Sequence, residues 1–158
     1  MHEFLLPRLS LALPQALRLE PWVLGGVPDA VLEAAHEGFA AIVAPSFPLE
    51  IAGLGMFGGE RPRVVWAGVR AGQPLERLQA KVERAARVAG AEPDSRKFTP
   101  HITLGRFAPP PPEDRMRLER AVAAGAGFHA GGFEVNQFVL YRSDPGGKGP
   151  RHQELPRY

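Results

Sequence analysis

The chain contains no cysteine. Disulfides, thiolate nucleophiles and cysteine-bound zinc are therefore excluded. Lysine is nearly missing as well. Of the 19 Lys and Arg, Lys occurs only at 81, 97 and 148. The cationic surface is thus mostly arginine, which suits bidentate phosphate contacts. A G+C-rich coding sequence, which also enriches Ala, Gly and Pro, accounts for much of that bias. No apolar run approaches the roughly 20 residues that span a bilayer. Met1–Pro7 lacks the basic start and long apolar stretch of a secretory signal. No Gly-x-Gly-x-x-Gly, Walker sequence, His-Glu-x-x-His, heptad run or solenoid period is present. A soluble cytoplasmic monomer without cofactor, metal or membrane partner is the expectation. The formal charge of +2 permits an anionic partner without demanding one.

What is present is enough to fold. The chain has 158 residues, 44% of them hydrophobic, which suits one domain over 1–158 or two lobes sharing a core. Short apolar stretches at Leu9–Leu13 and Leu17–Leu24 read as strands. Val31, Leu32, Ala35, Phe39, Ile42 and Val43 recur at helical spacing after Pro28-Asp29. Alternation at Phe47, Leu49 and Ile51, followed by a Gly58-Gly59 turn and Arg63–Val69, reads as a hairpin. Phe57 and Trp66 read as core rather than as base-stacking surfaces. Leu75, Leu78, Val82, Ala85 and Ala89 form a second helical stripe. Pro109–Pro112 is a stiff spacer that excludes helix. A third helix starts at Glu113-Asp114. Gly131–Arg142 reads as a strand region and Arg151–Tyr158 as a last strand. Segregated helices and mostly antiparallel strands give an α+β fold.

One stretch carries chemistry. Residues 98–106 read Phe-Thr-Pro-His-Ile-Thr-Leu-Gly-Arg. On a strand, His101 and Thr103 share one face while Ile102 and Leu104 turn into the core. An imidazole and a hydroxyl then stand side by side, one able to move a proton, the other to hold a phosphoryl oxygen. Arg106 falls on the opposite face by strict alternation, and only a twist or bulge brings it round to phosphate. His36, mid-helix, reads as structural or solvent-facing.

This run resembles the second signature of the two-histidine phosphoesterases, most closely the RNA 2′,3′-cyclic phosphodiesterases, also called 2′-5′ RNA ligases. Leu49–Phe57, Pro62–Val69 and Phe138–Ser143 with the Gly149-Pro150 turn resemble that family's strands in order and spacing. The likeness covers roughly residues 17–158. It implies a bilobal fold, with two mostly antiparallel sheets flanking a cleft and helices packed outside. It implies that each lobe supplies one His-x-Thr. It further implies metal-independent acid–base opening of 2′,3′-cyclic phosphates at RNA or oligonucleotide ends, leaving 2′-phosphates. His101 and Thr103 are then the catalytic pair. Arg106, Arg18, Phe98 and Ser143 are candidates for substrate contact.

The first signature departs from the family pattern. Counting back from Leu24-Gly25 puts Arg18 where the first histidine is expected and Glu20 where the threonine is expected. The family's first helix, between the first two strands, is missing. Arg does not exchange protons near neutral pH. Two readings follow: a weakened cyclic phosphodiesterase, or a relative that binds nucleotides or RNA ends without turnover.

Overall fold

The structure, a computed structural model, describes residues 6–12, 18–23, 27–92, 99–144 and 151–158. Two strands come first, β1 (Leu6–Ala12) and β2 (Arg18–Val23), then helix α1 (Asp29–Ala40). The hairpin β3 (Phe47–Phe57) and β4 (Val64–Arg70) leads to α2 (Gly72–Val88). Strand β5 (His101–Arg106) precedes α3 (Pro112–Ala124), a 3-10 turn at Gly125–Gly127, and β6 (His129–Val135). Strands β7 (Phe138–Asp144) and β8 (Arg151–Arg157) close the chain. No described helix is long and apolar enough to cross a membrane.

The helical periodicity explains the packing. Leu75, Leu78, Val82 and Ala86 form the buried stripe of α2, and Ala35 and Phe39 that of α1. These stripes meet Phe47, Leu49, Ile51, Ala67, Val69 and Ile102 of the sheet in one apolar core. Helix α1 begins after Pro28, whose carbonyl accepts the Val31 and Leu32 amides at 3.0 and 3.1 Å. It ends at Ala40, short of the Val43 that periodicity suggested, and Val43 is 83% exposed. The proline spacer is shorter than the sequence implied. Pro112 is the first residue of α3, where its missing N–H costs nothing because that amide has no intrahelical partner.

The strands make one antiparallel sheet in the order β6-β3-β4-β5-β2-β1-β7-β8. It consists of two four-stranded halves. They join where β2 meets β5, through one paired position among the described residues, Leu19↔Ile102. The two expected sheets are therefore halves of one continuous sheet, with the His-x-Thr strand at the seam. The strand region at Gly131–Arg142 is two strands. Residues up to Val135 pair with β3 in one half, and from Phe138 the chain pairs with β1 in the other. Tyr158 fastens the end of the chain by exchanging two 2.9 Å backbone hydrogen bonds with Phe138.

Candidate active site

Helices α1 and α2 bury one face of β3, β4 and β5, and two β-bulges decide which residues share the other. On β3, Ile51 lies opposite Val69 and Leu54 opposite Ala67, three residues against two. An extra residue reverses the alternation beyond it. Phe47, Leu49 and Ile51 lie in the core, but Gly55 and Phe57 fall on the uncovered face, opposite Trp66 and Val64. On β5, Thr103 lies opposite Trp66 and Gly105 opposite Val65, which leaves Leu104 as the extra residue. Arg106 then pairs with Val64 and joins His101 and Thr103 on that same face. The bulge that the arginine required is present.

Three sequence expectations are corrected by these bulges. Leu104 is not in the core; lifted out of the ladder, it is 55% exposed. Phe57 is not core either, at 36% exposed, while Phe39 and Phe47 in the core lie at 0% and 4%. Trp66, also expected in the core, is half-buried and outside the core cluster.

The half-buried His101 sits within an aromatic group. Its ring centroid is 4.8 Å from that of Phe57, edge to face at 83°, and 6.1 Å from that of Trp66. Phe57 and Trp66 are 5.2 Å apart at 32°. Gly55 makes room for this. A Cβ on Gly55 would lie 2.1 Å from the Trp66 ring, so the indole lies flat on bare backbone. A Cβ on Gly68, opposite His101, would lie 2.3 Å from the Ala52 carbonyl oxygen. The imidazole is fixed by its Nδ1, 2.7 Å from the Thr99 carbonyl oxygen. A carbonyl only accepts, so Nδ1 carries the proton and Nε2 is the nitrogen left to exchange one.

Thr103 Oγ1 and Trp66 Nε1 are buried and have no hydrogen-bond partner among the described residues. They belong to directly opposed positions of β4 and β5. An unmet buried hydroxyl or indole N–H costs about 1–3 kcal/mol each. Two together in one cross-strand pair on the uncovered face are unusual in a folded interior.

The register also places the altered first signature. With Leu19 opposite Ile102 in antiparallel pairing, position 18 falls opposite Thr103 and position 20 opposite His101. Strand positions 83 residues apart in sequence, Leu19 and Ile102, thus lie side by side at the seam. Ser143 is not brought to them. It pairs with Leu6, in a strand three places from β5 and at the opposite end of β1 from Ala12, which pairs with Arg18. Phe98 lies outside the described residues. His36 is hydrogen-bonded to the Tyr158 hydroxyl and so is structural. Among the described residues no group of three or more His, Asp or Glu clusters as a metal site requires. What sequence reasoning missed here is the exposed Phe57, for which the only hint was Gly53, with φ of 75°, inside an otherwise alternating strand.

Comparison with known proteins shows the family. The 2′-5′ RNA ligase superfamily matches residues 18–147. An RNA 2′,3′-cyclic phosphodiesterase of Geobacillus stearothermophilus is 36% identical over 143 residues, covering 85% of this chain and 42% of its own length. One of Aeropyrum pernix is 32% identical over 134 residues, covering 84% of this chain and 75% of its own. The chain thus spans less than half of the Geobacillus relative. Among solved structures, E. coli LigT complexed with 3′-AMP superimposes with a TM-score of 0.76, covering 98% of this chain and 97% of that one at 22% identity. That likeness is one of fold.

Proposed function

Because the chain belongs to the 2′-5′ RNA ligase superfamily, we propose that it opens 2′,3′-cyclic phosphates at RNA or oligonucleotide ends, by acid–base catalysis on its own side chains and without metal. The observation that carries this is the oriented His101, with Nδ1 held by Thr99 and Thr103 beside it on the uncovered face. Water attacks phosphorus, and the bond to the 3′ oxygen breaks. The imidazolium form of His101, its Nδ1–H kept on Thr99, gives its Nε2 proton to that leaving oxygen, and the attacking water passes one to solvent. The product is a 2′-phosphate with a free 3′-hydroxyl. Thr103 Oγ1, without a partner among the described residues, gains an acceptor in a phosphoryl oxygen. Arg106 and Arg18 offset the charge that builds there.

Arginine at 18 leaves one proton transfer to solvent. A positioned general acid or base contributes about 10²–10⁴-fold, so the proposed activity is slow. A second reading, binding without turnover, is favoured by that same arginine, which holds phosphate but does not trade protons. Purified protein incubated with a dinucleotide ending in 2′,3′-cyclic phosphate separates the two. Slow formation of 2′-phosphate that is lost in His101→Ala supports the enzyme. Turnover undiminished in His101→Ala refutes the assignment. Salt-sensitive binding with no product supports the binder.

A further inference from the structure

We propose that Phe57 is a stacking platform for the nucleobase attached to the cyclic phosphate, and that it makes the site favour purines. This rests on the phosphodiesterase reading of the same face. The ring is where an apolar side chain has no folding reason to be. The β3 bulge turns it away from the core, to 36% exposure, at the strand end closest to the Gly58-Gly59 turn. One side is backed by Trp66 at 5.2 Å, itself seated on the bare backbone of Gly55. Its contact with the His101 ring, centroids 4.8 Å apart, sets the platform one ring away from the proton-exchanging group. Arg106 lies in the same cross-strand row, with Val64 between.

A cation, a proton carrier and a rigid, half-exposed aromatic face on one surface match a ligand with an anionic phosphate and a flat π-system. A nucleotide has both, and a sugar phosphate has only the first. A preorganised ring loses little entropy on stacking. A purine covers more of it than a pyrimidine does.

The test uses three small substrates: the 2′,3′-cyclic phosphates of adenosine and uridine, and a base-free ribose 2′,3′-cyclic phosphate. Each is measured with the unaltered protein, Phe57→Leu and Phe57→Trp, for kcat and KM and, by titration calorimetry, for Kd. Removal of a base-stacking aromatic is expected to raise KM and Kd for the adenosine substrate about 5- to 150-fold, with a smaller rise for uridine. The base-free values stay unchanged, and Phe57→Trp keeps the adenosine affinity. An equal loss on the base-free substrate would show that Phe57 only steadies His101, and would overturn the proposal. So would an adenosine Kd indifferent to Phe57→Leu. If the unaltered protein turns over none of the three, the phosphodiesterase reading fails, and the base-dependence of Kd still decides the platform.

Discussion

Restoring the missing half-signature is the sharpest perturbation of this site. Arg18→His combined with Glu20→Thr places a second His-x-Thr on β2. The register gives the geometry. Leu19 opposite Ile102 sets position 18 opposite Thr103 and position 20 opposite His101. Directly opposed residues have Cβ atoms about 4.5–5.5 Å apart, and diagonal neighbours about 7–8 Å. A histidine at 18 would therefore sit, by register, diagonal to His101. One group then activates water while the other protonates the leaving oxygen, which in-line displacement requires on opposite sides of phosphorus.

A second positioned proton-transfer group should add about 10²–10⁴ in rate, equivalent to about 2.7–5.4 kcal/mol at 1.36 kcal/mol per factor of ten. The assay is kcat/KM for adenosine 2′,3′-cyclic phosphate across pH. The double variant should exceed the unaltered protein by that factor at every pH at which both stay folded. His101→Ala added to the double variant should remove the gain. A folded double variant with unchanged rate refutes the reasoning, as does a gain that survives loss of His101, since it would place the chemistry elsewhere.

Other consequences are simpler to measure. Phe39 is fully buried between the helices and the sheet, so Phe39→Ala should cost about 3–5 kcal/mol in urea unfolding; a loss below about 1 kcal/mol would contradict its place in the core. Leu104→Lys should change stability by no more than about 0.5 kcal/mol, because the bulge leaves this leucine 55% exposed; a loss of several kcal/mol would mean that it is buried after all. Burial pushes the Tyr158 phenol up to about 12 from 10.0. Between those pH values the unfolded chain releases a proton that the folded chain keeps, so stability falls as pH rises through that window and gains nothing from this group's titration below it. Tyr158→Phe should flatten that alkaline slope in pH-dependent melting, and an unchanged slope would assign it to another group.

Much of the fold was legible because its signals are periodic. The stripe Leu75, Leu78, Val82 names a helix face, and Phe47, Leu49, Ile51 name a strand face, without knowledge of their partners. The seam at β2 and β5 was not legible in this way. Its pairing joins residues some 80 positions apart through one paired position, and no local pattern records a partner strand. The split of Gly131–Arg142 into strands belonging to different halves has the same cause. Only the chain's route from β6 to β7 decides it.

The errors at the site share a single physical origin. Alternation predicts faces correctly only while a strand keeps its ladder, and both strands that build this face break theirs. Before the bulge, β3 behaves as read, with Leu49 at 0% and Ile51 at 7% exposure. Beyond it the same period would have buried Phe57. On β5 the period holds through Ile102 at 2% and fails at Leu104. A bulge costs a ladder hydrogen bond, and a sheet made only for stability has little use for two of them near one histidine. Here each one moves a residue of functional type, an aromatic and an arginine, from the helix side to the His101 side, and both arrive opposite Val64. Inserting one alanine between Gly105 and Arg106 would set that alanine opposite Val64 and turn Arg106 to the far face while leaving His101 and Thr103 where they are. If Arg106 serves phosphate, that insertion should weaken cyclic-phosphate binding and its salt dependence together, and unchanged binding in the folded variant would remove Arg106 from the site.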